Sequence, residues 1–326
     1  MAFNLSTLTQ WNEERANKED IIVKPFLADP TMDYIRKLSN VRGQVVKLPI
    51  IESTGSTGTT GCSTADTDST AIRQFTINGF FNNYRQNFCL SDLDTYFTTQ
   101  WHKGDAISVF DELMNEIGLK VVKRLKEYVW LNNPSIATLP ADFKRFNGLL
   151  KLIDTNTPAA NVYTMGASKI LGVDDTSSTE AVTTVIEQLY AKLPEDAVTQ
   201  DLVAFVPPHA LQLLRMKIKK DNLYHYAPEQ LEINKFVFRY PGISNLVVVA
   251  TNGLSNTVVA GQDNTQKDRI VLTTLNNIVF TLDVEGIANT FKVGYSEYHK
   301  QIFIDTEYWA GAGVVFYDLL VTSKRA

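Results

Sequence analysis

The strongest constraint in this chain is one long amphipathic stretch, residues 105–131 (DAISVFDELMNEIGLKVVKRLKEYVWL). Ile107, Phe110, Met114, Ile117, Val121, Leu125 and Tyr128 recur at spacings of three and four, which is the apolar stripe of a helix. Asp105, Asp111 and Glu112 stand toward its start, and Lys120, Lys123, Arg124 and Lys126 toward its end. That charge order complements the helix dipole. At about 1.5 Å per residue such a helix spans about 40 Å. Gly118 should bend it, and Asn132-Asn133-Pro134 should stop it. Its stripe is expected to face a sheet built from the C-terminal strands. Lys123 and Lys126 fall off the stripe, so both are expected to face solvent or a neighbouring subunit.

Beyond a loop-rich stretch, 132–176, the pattern changes to alternating helix and strand. Ser177 and Glu180 have capping-box spacing. They should open a helix carrying Val182, Val185, Ile186, Leu189 and Leu193, ended by Pro194. Leu202–Val206 (LVAFV) is a buried-type strand, and Pro207-Pro208 starts a helix bearing Leu211, Leu214 and Ile218. Lys217, Lys219 and Lys220 mark its last turn, and a second apolar strand, Leu246–Ala250 (LVVVA), comes next. This spacing predicts an α/β lobe. From Arg269 onward the chain reads mostly as strand, with candidates at 270–275, 278–282, 290–299, 301–306 and 313–321.

The N-terminal part differs. Residues 11–20 (WNEERANKED) are polar, with little hydrophobic periodicity, and Pro25 and Pro30 punctuate the next ten positions. Residues 1–44 therefore read as an arm that buries little by itself. Residues 45–51 (VVKLPII) read as a strand, at an edge because Pro49 lacks an N–H. A Ser/Thr/Gly tract, Ser53–Ser69, then leads to a second strand at 72–81. Two strands joined by a long Ser/Thr/Gly-rich tip make a protruding hairpin.

Residues suited to chemistry are few. The glycine tract at Gly55–Gly61 is followed by Cys62 and by no lysine, so it is not a phosphate loop. His102, His209, His225 and His299 are dispersed, and neither Asp174-Asp175 nor Asp66/Asp68 completes a metal-binding loop. Ser168 in Gly166-Ala167-Ser168-Lys169 has no nucleophile motif around it. The two cysteines, Cys62 and Cys89, form no zinc or disulfide pattern and read as small core hydrophobes. The expectation is a protein that is not an enzyme, with no catalytic residues, no cofactor and no metal. With 31 basic against 36 acidic residues and a net charge of −5, coating nucleic acid through its phosphates is disfavoured, although enclosing it is not. No secretory leader is evident, and no apolar run approaches the ~20 residues that a membrane span needs, so no membrane partner is expected.

The order of parts carries more information: extended arm, protruding two-strand loop, one long helix, α/β lobe, returning strands. This order resembles the Hong Kong 97-like fold of tailed-phage major capsid proteins, an α+β architecture. The stretch EAVTTVIEQLYAKLPEDAVTQDLVAFVPPHALQLLRMKIKKDNLYHY resembles the helix–strand–helix segment of those proteins, and PGISNLVVVATNGLSNTVVA the turn and strand after it. Cys62 and the segment Phe88-Cys89-Leu90-Ser91-Asp92-Leu93 are similar to major capsid proteins of crAss-like phages.

The resemblance implies an N-arm at 1–44, an E-loop hairpin at 45–81, a first part of the P-domain at 82–150 with a spine helix at 105–131, an A-domain at 151–285, and returning P-domain strands at 286–326. It implies self-assembly through pentamers and hexamers into an icosahedral shell in the virion, built in the host cytoplasm around double-stranded DNA without sequence-specific binding. A separate scaffold, or none, is implied, with a portal and cement proteins as further partners. The candidate subunit-interface residues are Trp11, Arg15, Lys47, Gly55, Gly58, Gly61, Arg73, Lys123 and Lys126. An encapsulin-like bacterial compartment shell is the alternative with the same part order.

Overall fold

Residues 30–39, 45–53, 70–89, 119–120, 123–166, 169–221, 232–254, 266–283, 292–299 and 301–326 are described by the structure, a computed structural model. Along the chain, a 3-10 turn at Pro30–Tyr34 leads into β1 (Arg36–Ser39), followed by β2 (Val45–Ser53) and β3 (Thr70–Cys89). Helix α1 covers residues 123–131. Next come α2 (Leu149–Asn156), β4 (Val162–Met165), β5 (Ile170–Gly172), β6 (Thr179–Ala181), α3 (Val182–Ala191) and the single turn α4 (Glu195–Val198). The pair β7 (Leu202–Val206) and α5 (Pro208–Lys220) precedes β8 (Glu232–Asn234), β9 (Val237–Arg239) and β10 (Leu246–Ala250). The chain returns through β11 (Val271–Thr274), β12 (Ile278–Leu282), β13 (Lys292–Ser296), β14 (Gln301–Val314) and β15 (Leu320–Arg325).

Seven of these strands form a mixed sheet in the order β4-β15-β11-β7-β10-β9-β8. Its centre is buried on both faces, which explains why β7 and β10 read as unbroken apolar runs. Because side chains alternate along a strand, each run feeds two cores. Leu202, Ala204 and Val206 join Leu246, Val248 and Ala250 under α3 and α5, beside Val185, Leu189, Leu211 and Leu214. Val203, Phe205 and Val249 face the other way, onto Val129, Trp130 and Ile153.

The second sheet has the order β1-β12-β14-β3-β2, with β13 also paired to β14. Strand β3 changes partner along its length. Among the described residues, Thr70–Asn78 pair with β2, and Gly79–Cys89 with β14. The first part is therefore a two-stranded ribbon of nine paired positions, about 30 Å long at the usual strand rise. Pro49 sits on β2, the strand at the end of the order among the described strands, the edge position where proline is tolerated. The two sheets share the core that contains Phe280, Leu282, Ala310 and Ala312 together with the end of α1.

Several local expectations change. The capping box at Ser177/Glu180 does not form. Glu180 lies in β6, is buried, and accepts hydrogen bonds from Tyr163 Oη and the Gly166 amide. The entrance to α3 is held instead by Asp175, which accepts from the Ala181 amide at 2.9 Å and from Thr184 Oγ1 at 2.8 Å. The stretch 132–176 is not loop alone, for it carries α2 and two short strands, β4 and β5. The reading of 313–321 as a strand is also corrected: β14 runs on to Val314 and a separate strand begins at Leu320. The strands do not divide at 285/286 either, because β12 pairs in the sheet of β14 and β15 pairs in the sheet of β7. The expected helix over 105–118 lies outside the described residues. Its stop is seen: Asn132, fully buried, donates its side-chain amide to the Tyr128 carbonyl, and its backbone carbonyl accepts from the Gly148 amide at 2.7 Å.

Candidate assembly surfaces

The hairpin places two of the sequence candidates by register: Lys47 opposite Thr76, and Arg73 opposite Ile50. Trp11, Arg15, Gly55, Gly58 and Gly61 lie outside the described residues. A two-stranded ribbon is marginal in water unless something packs on it. Among the described residues, no third strand flanks Thr70–Asn78.

Where β3 turns to β14, the register sets up a ladder on one face. Phe81 stands opposite Trp309, Asn83 opposite Glu307, and Arg85 opposite Asp305. The rings of Phe81 and Trp309 meet edge to face at 5.7 Å, and Asn83 Nδ2 donates to Glu307 Oε1 at 3.3 Å. Asp305 is also paired with Lys292 of β13, so it lies between two cationic positions in the register. The Arg85 guanidinium stacks 5.3 Å over the Phe303 ring. That ring lies across β13 at Gly294, where an added Cβ would fall 2.3 Å from it. Phe81 remains 48% exposed. Aromatic and arginine side chains on a partly exposed face are of the kind found where protein chains meet. Sequence reading missed this ladder because its residues are more than 200 positions apart and become neighbours only through sheet pairing.

Helix α1 separates the two lysine candidates. Lys123 is exposed. Lys126 is buried, which overturns the expectation that it faces solvent or a neighbour. Burial pushes its pKa down to about 8. Glu127 beside it is buried as well, with its pKa raised by desolvation against the pull of Arg124 and Lys123. Arg124 bridges Glu127 at 3.4 Å and lies over the Phe143 ring. The last two turns of α1 are wrapped by the cores of two sheets, so an apolar stripe does not predict which positions are covered.

A second exposed apolar group, also missed, lies where α5 meets β8. Met216, Ile233 and Phe236 are each at least 39% exposed. Arg215 ties them together, pairing with Glu232 at 3.1 Å and donating to the Lys235 carbonyl at 3.2 Å. The available signal was Met216, an apolar residue off the Leu211/Leu214/Ile218 stripe.

Among the described residues weighed as chemistry, Asp174, Asp175 and His209 are engaged in contacts within the fold. Asp174 bridges Lys217 and Lys220 of α5, which hold its pKa low. Asp175 braces the entrance to α3, and the Ala181 amide lowers its pKa. His209 Nε2 meets Asp268 Oδ1 at 2.9 Å, while Arg325 pairs with the other carboxylate oxygen. Burial, then Arg325, lowers the His209 pKa. No group of three or more metal-ligating residues occurs among the described residues. An open cavity of about 270 Å³ lies between Tyr34, Asp201, Arg239, Asn245 and Leu275, without a cluster of titratable groups suited to catalysis. No described helix is long and apolar enough to cross a membrane.

No family profile and no curated protein matches the chain. Solved structures do. A chain of the satellite phage P4 procapsid is 14% identical, with a TM-score of 0.53 over 100% of this chain and 92% of that one. The capsid of Ralstonia phage GP4 is 12% identical, with a TM-score of 0.56 over 89% and 86%. The capsid of Myoviridae phage XM1 is 12% identical, with a TM-score of 0.55 over 91% of each chain. The fold is thus the mixed α+β, Hong Kong 97-like fold of phage capsid proteins.

Proposed function

We propose that this chain is a major capsid protein that self-assembles into an icosahedral shell around a tailed-phage genome. The observation that carries the reading is the agreement in fold with capsid chains along nearly the whole length of both partners. The ribbon formed by β2 and Thr70–Asn78 supports it. Such a ribbon gains stability by lying on another subunit, as an E-loop does. In the same reading the long helix is the spine, the seven-stranded lobe the A-domain, and the sheet of β3, β12 and β14 the P-domain. Lys47, Arg73 and Lys123 are contact residues there, and Trp11, Arg15 and the tip glycines Gly55, Gly58 and Gly61 belong to segments that reach neighbours. The capsid belongs to a phage of the crAss-like kind, assembled in the host cytoplasm with scaffold, portal and cement proteins. The net charge of −5 suits a wall that encloses double-stranded DNA without gripping it.

The test is electron microscopy and sedimentation of the purified protein over a wide concentration range, with and without its scaffold. Pentamers, hexamers or closed particles are expected. A monomer under every condition overturns the reading. Limited proteolysis adds a second measurement: the Ser53–Ser69 segment should be cut in free subunits and protected in particles, and equal cutting in both removes it from the interface.

A further inference from the structure

Strand β15 is the last described element in the chain, yet it occupies an interior place in its sheet. It pairs in parallel with β4, Thr322 to Val162 through Arg325 to Met165, and antiparallel with Val271–Thr273 of β11. Strand β4 has no other partner in that sheet among the described strands. Leu320 and Val321, both 0% exposed, enter the two separate cores on either side of the sheet.

The polar side chains of β15 complete a buried network around residues 266–270. The Arg269 side chain is 0% exposed. It pairs with Asp154 of α2 at 2.8 Å and donates through Nη2 to Thr322 Oγ1 at 2.9 Å. Ser323 Oγ accepts from the Ile270 amide at 2.8 Å, and the Ser323 amide donates back to the Ile270 carbonyl. Arg325 pairs with Asp268, whose side chain is 2% exposed and whose backbone is held at φ +57. Without β15, Asp268 loses a guanidinium, Arg269 loses an acceptor, and β4 and β11 present open edges. Buried polar groups without partners are costly, and open edges invite pairing with other chains.

We propose that residues 320–325 are a closing strand: the seven-stranded lobe stays open until they insert between β4 and β11, and the subunit becomes competent to assemble only then. The second half of this statement rests on the shell reading; the first does not. Every other described strand of the sheet precedes β15 in the chain, so a nascent or misfolded chain lacking this insertion is kept out of the shell.

The experiment refolds the full chain and reads amide protection by pulsed hydrogen exchange, with particle formation followed in parallel. Amides of β7 and β10 should be protected in an earlier phase. Those of β4, β11 and β15 should become protected together in a later one, and particles should appear only after that phase. Arg325→Ala should slow the late phase roughly tenfold, with Arg325→Lys in between, because one partner of a buried ion pair is lost. Protection of all five strands in one phase, or of β15 before β7, overturns the closing strand. So do particles whose β15 amides are unprotected, and these leave the shell reading intact. The expected folding order without any particle from the wild-type chain, with its scaffold present as well as absent, supports the closing strand and removes the shell reading. If Arg325→Ala does not fold at all, the wild-type phases still decide.

Discussion

Lys126 offers the sharpest test of how α1 is packed. The residue is 7% exposed, and desolvation takes its pKa from the ordinary 10.5 to about 8. One pKa unit corresponds to about 1.4 kcal/mol, so a shift of this size, discounted for incomplete sealing of the side chain, costs the fold about 2 kcal/mol at neutral pH. The unfolded chain holds the proton up to its ordinary pKa, whereas the folded chain releases it near pH 8. The penalty is therefore full below pH 8 and fades as the pH rises toward 10.5, so stability increases across that window. Lys126→Met removes the charge and keeps most of the volume. Urea denaturation of the soluble subunit between pH 7 and pH 9.5 should show the variant more stable by about 2 kcal/mol at pH 7, with the difference closing as the pH rises. The tyrosines Tyr34, Tyr163, Tyr240 and Tyr317, all with raised pKa values, erode stability only at higher pH and equally in both proteins. Lys126→Glu sets a carboxylate beside buried Glu127 and should abolish soluble subunit, while Lys123→Glu at the exposed position should fold. Parallel pH profiles for wild type and Lys126→Met, or a well-folded Lys126→Glu, would refute the burial argument.

Three further outcomes rest on named contacts. Gly253→Ala puts a Cβ 2.1 Å from Trp130 Cδ1 and 2.9 Å from the Lys126 carbonyl oxygen, so a loss of about 1–3 kcal/mol in thermal or denaturant unfolding is expected. An unchanged midpoint means that α1 and the 252–254 turn are not in contact. Acidification through the ordinary histidine range should destabilise the subunit, because the His209 pKa is lowered in the fold and the unfolded chain takes up the proton first. His209→Gln should flatten that limb, and an identical acid profile for the variant discards the cause. Phe81→Ser on the exposed ladder should change subunit stability by about 1 kcal/mol or less and lower the particle yield; full assembly of the variant takes this face out of the interface.

What the sequence determined by itself was local and periodic. The runs LVAFV and LVVVA are strands because five apolar residues in a row can all be buried only where both faces of a sheet are covered. Pro208 opens α5 because its ring presets the first helical turn, and Pro49 points to an edge because it has no N–H to give. The order of these parts was enough to indicate the fold. Tertiary structure alone decided which strand joins which sheet, since β12 and β15 are both short strands with apolar starts and their placement depends on distant partners. It also decided that Asp175 and not Ser177 serves α3, and that Lys126 is enclosed while Lys123 is not. The His209–Asp268–Arg325 cluster and the Phe81–Trp309 ladder were illegible for the same reason. Periodicity reports which face of an element is apolar, whereas burial of a charge and the meeting of remote side chains depend on what the rest of the chain lays against that face.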